Sequence, residues 1–206
     1  MKITIIGAGN MGRAIASRAV AGGHDVEIAD HTPEKAQALA EEVGGTALEP
    51  GGKIGGEVVV LAVYYPALAA ALDEYHEQLG GKVVVDISNP IDFETFEGLA
   101  VPPDSSAAEE AAQRVPDASV VKAFNTTFAN TLVPGEAHGQ QLDVFIAGDD
   151  QAAKAKVREL IETSGLRAID VGPLRRARQL EQLGFLHISL QEPLGTGFAS
   201  ALKVHP

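Results

Sequence analysis

The sequence predicts an α/β fold: a Rossmann-type, doubly wound and mostly parallel sheet with a C-terminal helical segment. Three observations predict it. Short β-branched runs alternate along the chain with segments of helical period, as parallel strands alternate with crossover helices. The first run leads into a glycine-rich turn, Gly7-Ala8-Gly9-Asn10-Met11-Gly12, that opens the first helix. A chain of 206 residues, 45% hydrophobic and 21% charged, suffices for one large domain with a real core and at most a small appendage.

The elements follow in order. Residues 2–6 read as a buried strand ending at Gly7, and residues 10–21 carry Met11, Ile15 and Ala19 at helical spacing. Gly22-Gly23-His24 stops that helix, and residues 25–30 form the second strand. Thr32, Pro33 and Glu34 start the next helix with a hydroxyl at the cap, proline in the first turn and an acid facing the dipole. Residues 58–63 are a third strand, 66–79 a helix, and 82–87 a strand ending at Ser88-Asn89-Pro90. After a Pro- and Ser-rich loop at 101–105, Ser106 with Glu109 makes a capping box for a short helix. Strands are expected at 119–124, 142–147 and 167–171. A helix at 150–163, capped by Asp149 or Asp150, is stopped by Gly165. From Pro173 the chain reads helical to about Gln191. The expected division is a dinucleotide-binding unit over residues 1–172 and a dependent helical segment over 173–206 that covers its cleft.

The glycine loop sits where a dinucleotide needs it, after a strand, before a helix and within one βαβ unit. Gly7 permits the tight turn, Gly9 lets backbone approach a pyrophosphate, and Gly12 lets helix pack on strand. The helix N-terminus supplies free N–H groups and partial positive charge. Asp30 lies 18 residues beyond Gly12, where an acid receives the adenosine ribose hydroxyls of NAD. A 2′-phosphate there would be repelled by about 3 kcal/mol per unit charge pair at about 5 Å and an effective dielectric near 20. NAD(H) is therefore favoured among the NAD(P)(H) pair. His31 and Lys35 are the candidate cations that would compensate if Asp30 turned outward.

Other classes are set aside by composition. The absence of cysteine removes disulfides, thiolate metal sites and a cysteine nucleophile, and fits a reducing cytoplasm. The six histidines show no ligand spacing, so no metal is expected. A net charge of −12 argues against nucleic acid. The chain enters its first strand without a basic leader, and its longest uncharged apolar stretch, 58–72, is too short to span a bilayer. A soluble, cytoplasmic protein without membrane insertion is expected.

Beyond the glycine loop, "VVVLAVYYPA", "VVVDISNPI", "VVKAFNTTFA" and "IDVGPL" occur in this order. Together with the first 36 residues they resemble the NAD(P)-dependent deazaflavin (coenzyme F-420) oxidoreductase family over nearly the whole chain. They are also similar to the cytosolic domain of six-transmembrane ferric reductases. The resemblance implies hydride transfer between a nicotinamide nucleotide and a deazaflavin or flavin ring stacked on it. It implies that Gly7, Gly9, Asn10, Met11 and Gly12 form the dinucleotide loop and that Val63, Tyr64 and Tyr65 run beside the cofactor. Ser88, Asn89 and Pro90, with Ala123, Phe124, Asn125 and Thr126, would line the nicotinamide pocket. The chain departs from the pattern at the second strand, where NADP-using members carry a small hydroxyl residue and arginine in place of Asp30-His31.

No acid–base residue is assigned, because hydride transfer between planar rings needs positioning and water exclusion above all. Asn125 and Thr126 are candidates to hold the carboxamide. Lys122, on a strand, is expected to reach solvent or a phosphate. Arg175, Arg176 and Arg178 meet an anionic substrate tail or a partner, or neutralise local charge, and His187 reads as a core or interface residue. The surplus of apolar residues after 173 suggests a homodimer face or a pocket roof. Two other readings are an imine or pyrroline-carboxylate reductase, for which the segment after Gly172 looks too short, and a non-catalytic nucleotide sensor or subunit.

Overall fold

A computed structural model describes residues 1–205. Strand β1 (Lys2–Ile6) leads into helix α1 (Asn10–Ala21), and β2 (Asp25–Ala29) into α2 (Pro33–Val43). A two-residue strand β3 (Thr46–Ala47) precedes β4 (Val58–Leu61), α3 (Tyr65–Leu79) and β5 (Val83–Asp86). Then come α4 (Ala107–Arg114), β6 (Ser119–Lys122), a short α5 (Ala129–Leu132) and a hairpin of β7 (Glu136–Ala137) and β8 (Gln140–Gln141). Strand β9 (Asp143–Gly148), α6 (Gln151–Thr163) and β10 (Arg167–Gly172) complete the main sheet. A 3-10 turn (Leu174–Arg176), α7 (Ala177–Ser189) and α8 (Gln191–Leu194) follow.

The eight-stranded sheet runs β10-β9-β6-β5-β4-β1-β2-β3. Its neighbours pair in parallel, except β6 with β9, which are antiparallel. The chain moves outward from β1 to β3, then crosses back to β4 on the other side of β1. That reversal opens a crevice at the carboxyl edge between β1 and β4, the ligand position of open α/β sheets.

Both sheet faces are covered, which is why the strands read as continuous apolar runs. Ile3, Ile5, Val58, Val60, Val83 and Val85 pack with residues of α1, α2 and α6. Ile6, Val59, Leu61 and Val84 pack with α3 and α4 on the opposite face. Ser106 caps α4 by accepting from the Glu109 N–H, as its spacing predicts. Asp150 caps α6 through the N–H groups of Ala152 and Ala153. Thr32 departs from expectation: its hydroxyl makes no cap bond, and its own N–H instead donates to Asp30 at 2.9 Å. The expected single helix after Pro173 is divided into a 3-10 turn, α7 and α8, and the expected strands are shorter by one or two residues at several ends. Among the described residues no helix is long and apolar enough to cross a membrane.

The far edge of the sheet is tied to the C-terminal tail by one carboxylate. Asp143, with no exposed side-chain surface, accepts from Arg167 Nε at 2.7 Å, Lys203 Nζ at 2.8 Å and the Val204 N–H at 2.8 Å. Burial works to raise its pKa, but these donors outweigh burial and hold it at about 2, below the ordinary 3.8. A depressed carboxyl stabilises the fold above its unfolded pKa and loses that contribution as pH falls through the folded value. Between about pH 4 and about pH 2 the protein should lose about 1–2 kcal/mol from this site, a figure reduced for the partly exposed Arg167. Asp143→Asn should lower Tm near neutral pH and flatten the acid limb of Tm against pH. An acid limb identical to wild type would show that the tail is not anchored here.

Candidate functional site

The crevice is built first from close backbone approaches. Gly7 has φ 112°, and a Cβ there would stand 2.3 Å from the Ala62 carbonyl oxygen. A Cβ on Gly12 would lie 1.9 Å from the Gly7 carbonyl oxygen. Both positions exclude a side chain because α1, the loop and the end of β4 touch. Gly9 is the opposite case: a Cβ there would meet nothing within 4 Å. Its openness therefore leaves room for something outside the protein. Helix α1 has no capping side chain and no acid in its first turn, so its leading N–H groups are available to an anion.

Asp30 is 8% exposed and faces the loop rather than turning outward. One carboxylate oxygen accepts the Ala8 N–H at 2.8 Å, and the other accepts the Thr32 N–H at 2.9 Å and lies 3.1 Å from His31 Nδ1. The rest of the His31 ring is solvent-exposed, as is Lys35. Val63 lies against Gly7, and Tyr64 projects into solvent. Tyr65 is turned away toward α4, where its hydroxyl donates to Glu110 at 2.8 Å. Burial, aided by that carboxylate, pushes the Tyr65 phenol up to about 12. Asn10 is exposed and Met11 half-buried at the first turn of α1.

Across the crevice, the ends of β5 and β6 are clasped together. Asn89 Nδ2 donates to the Asn125 carbonyl at 2.8 Å, and Asn125 Nδ2 donates to Asn89 Oδ1 at 3.0 Å. The same Asn125 nitrogen donates to the Leu180 carbonyl of α7 at 2.8 Å. Two acceptors on one nitrogen fix the amide's orientation and leave Asn125 Oδ1 as its open group. Phe124 holds left-handed backbone, φ 60°, and the Thr127 N–H and hydroxyl both donate to its carbonyl. Ser88 Oγ, Asn125 Oδ1 and Thr126 Oγ1 are buried and have no hydrogen-bond partner among the described residues. Pro90 and Ala123 are buried beside them in the chain. Orphaned polar atoms are rare in folded interiors. Three of them at two adjoining strand ends, with open space over Gly9, fit a polar ligand laid along this edge.

Beneath the clasp lies a fully buried ion cluster. Lys122 has no exposed side-chain surface, so the expectation that it reaches solvent or a phosphate is corrected. Strand alternation turns it off the core face, but α4 and α7 cover the other face as well. Its ammonium donates to Asp86 Oδ2 at 2.7 Å and to the Ser88 carbonyl at 2.6 Å, and pairs with Glu181 Oε1 at 2.7 Å. Burial opposes its charge, yet the two carboxylates outweigh burial and raise its pKa. Burial, with Asp86 adding to it, raises the Glu181 carboxyl despite Lys122. Glu181 also accepts the N–H groups of Ala107 and Ala108 at 3.0 and 3.3 Å.

Glu181 and Gly184 belong to no motif that the sequence displays, and Asp86, though inside the quoted VVVDISNPI run, is assigned no role there. The available signal is the acid and base that end two apolar strands, since Asp86 and Lys122 are register partners. Glu181 and Gly184 share a face of α7 with Ala177 and Leu180. Of the three arginines, Arg178 pairs with Glu109 at 2.7 Å, whereas Arg175 and Arg176 are exposed. His187 is a core residue, stacked on Phe128 and lying 2.9 Å from Ser200 Oγ. Among the described residues no cluster of three or more candidate ligands could hold a metal.

The comparisons with known proteins agree with one another. A family model described as "NADP oxidoreductase coenzyme F420-dependent" matches residues 2–90. The F420-dependent NADP reductase of Methanothermobacter marburgensis is 35% identical over 210 residues, covering 92% of each chain. Metalloreductase STEAP3 of Rattus norvegicus is 32% identical over 185 residues, 88% of this chain but 36% of that one. The chain thus spans about a third of that metalloreductase. A crystal structure from Arthrobacter sp. FB24, described as a candidate F420-dependent NADP reductase, matches over 100% of both chains at TM-score 0.88 and 32% identity.

The loop geometry yields a direct test. The Cβ of Gly9→Val would have no described atom within 4 Å, so the fold should survive by circular dichroism and Tm. Binding of a nicotinamide dinucleotide, measured by calorimetry, should weaken by at least about a hundredfold through loss of the pyrophosphate's close approach. A folded variant with unchanged affinity would show that the anion sits elsewhere.

Proposed function

The chain belongs to the coenzyme F420-dependent NADP oxidoreductase family, and from that premise we propose that it transfers a hydride between a nicotinamide dinucleotide and a deazaflavin ring. It is an NAD(P)-linked oxidoreductase; the acceptor, the nucleotide preference and the residue roles that follow are our reading. The observation that carries the reading is the convergence on one sheet edge of the open Gly9 and three unpartnered polar atoms. When bound, the nucleotide supplies or receives a hydride at its nicotinamide ring and the deazaflavin is its two-electron counterpart.

The protein's own contribution is binding, orientation and exclusion of water. Gly7, Gly9, Asn10, Met11 and Gly12 hold the diphosphate at the N-terminus of α1. Ser88, Asn125 and Thr126 offer their unpartnered atoms to the nicotinamide end, with Asn125 Oδ1 acting as an acceptor for carboxamide N–H. Residues 173–205, with α7 on the ends of β5 and β6, serve as the roof of the ring site. Flavin is the alternative ring, since it presents the same flat face to such a cleft. The measurement that separates them is anaerobic oxidation of NADH and NADPH against F420, FMN, FAD and a quinone. Rapid bleaching of the deazaflavin alone is expected; oxidation of neither nucleotide by any acceptor would overturn the reading.

Asp30 supports NADH over NADPH in this chain, although the relatives are named as NADP reductases. Its carboxylate is fixed toward the loop by two backbone N–H groups and would meet a 2′-phosphate with like charge. NADH should bind at least about tenfold tighter, a solvent-discounted fraction of the coulombic estimate. Asp30→Ser should narrow or reverse the ratio. Calorimetry showing that the wild type prefers NADPH would sink this role for Asp30.

The exposed stripe Leu186, Leu190 and Leu194, at 56%, 39% and 64%, supports a homodimer. Leu190→Glu should convert a dimer into a monomer by light scattering. A monomeric wild type would remove this proposal.

A further inference from the structure

We propose that Glu181 is a positioning residue for hydride transfer, acting through Lys122 and the Asn89–Asn125 clasp without touching the nucleotide. The role rests on the hydride-transfer reading given above. Its geometry is independent of that reading.

Helix α7 presents one buried face to the strand ends, and three features of that face engage the ring site. The Leu180 carbonyl accepts from Asn125 Nδ2. Glu181 pairs with Lys122 and accepts the first N–H groups of α4. Gly184 lies so close that a Cβ would stand 2.4 Å from Asn89 Oδ1 and 3.0 Å from Asn125 Nδ2. Lys122 in turn ties Glu181 to Asp86 and to the Ser88 carbonyl. One ammonium thus fixes three separate pieces of chain, the end of β5, the loop after it and α7.

Stability does not explain that choice. Burying ions is costly, and apolar groups of similar volume often serve a core equally well or better. What the ion cluster adds is direction. Each N–H of the ammonium has its own acceptor, so α7 cannot slide on the strand ends without breaking a buried bond. Asn125 Oδ1, the open atom of the clasp, is held to the same tolerance. Reaction rates are sensitive to displacements of this kind, with about 1 Å of misplacement costing on the order of a hundredfold.

The glycine loop hangs on different supports. Gly7 N–H donates to Ala29, Ala8 N–H to Asp30, and Ala62 N–H to Ile6. None of these bonds involves α7, so disturbance of Glu181 should reach the ring end and leave the diphosphate end alone.

The test compares the wild type with Glu181→Gln and Gly184→Ala in the full chain. Glutamine keeps the volume but turns an amide N–H toward donors. Alanine leaves all three charges in place, pushes on Asn89, and is a better helix former than glycine. In both variants the Kd for reduced nucleotide should stay within about twofold, while kcat with saturating acceptor falls at least about tenfold. Bound reduced nucleotide should also lose fluorescence intensity toward that of the free form, a readout of the ring environment that needs no acceptor. If Glu181→Gln does not fold, Glu181→Asp, which keeps the charge but draws the carboxylate back from Lys122, is measured in the same way and decides. Folded variants with wild-type kcat and wild-type nucleotide fluorescence would overturn the role. So would a loss of nucleotide affinity in step with kcat, since α7 would then support the domain as a whole. A wild type inert toward every acceptor would strike the hydride-transfer reading, and the fluorescence comparison would still judge Glu181.

Discussion

The sheet is covered by apolar packing on both faces, and that constraint governs where its polar groups go. Each central strand contributes alternate side chains to two apolar layers, so neither face has room for chemistry. A polar group on these strands must either reach the carboxyl edge or find partners inside. The glycine loop, Asp30, Ser88, Asn89, Asn125 and Thr126 take the first course. Lys122 and Asp86 take the second, one layer deeper, and need Glu181 from another element to complete the set. Edge and underlayer are mechanically joined because Ser88 belongs to both: its N–H donates to Asp86 and its carbonyl accepts from Lys122.

The two ends of the crevice are built from different elements, and they can vary separately. On the proposed reading the crevice has a diphosphate end and a ring end, and the first is a local product of β1, α1 and β2 braced by the end of β4. The ring end draws on β5, β6, α4 and α7. On that reading a change at Asp30 would alter what the adenosine side accepts without moving the clasp. A change on α7 alters the clasp without moving the loop.

The same division explains what is legible in the sequence. The diphosphate end lies within the first 30 residues, so the spacing of its glycines and acid carries its geometry. That spacing gives Gly7, Gly9 and Gly12 distinct jobs, and the space around each separates them in the same way, crowded at Gly7 and Gly12 and free at Gly9. The Ser106–Glu109 cap is equally local. Lys122 defeats sequence reasoning because alternation says only that a side chain changes face, not that both faces are covered. Glu181 and Gly184 escape it because their partners lie on β6 and after β5, far along the chain. The strand at β9 is legible, but its antiparallel direction against β6 and the β7–β8 hairpin follow from packing and a short turn, and no apolar periodicity announces either.

Asp30 carries two loads at once, and this bears on how nucleotide preference can change. Its carboxylate accepts the Ala8 N–H and so holds the glycine loop in register with β2 before any ligand arrives. It also sets the charge that an incoming ribose or phosphate meets. A charge-assisted bond to a backbone N–H is about twice as strong as a neutral one, so removing the acid to admit a phosphate would loosen the loop proposed to hold the diphosphate. A small hydroxyl side chain there could still accept one N–H, but it could not serve Ala8 and Thr32 from two oxygens. On the proposed reading Asp30→Ser relieves the like charge, and a second change that restores order to the turn would complete the switch; the exposed His31 next to it is the position where a longer cation could both pair with phosphate and brace the loop.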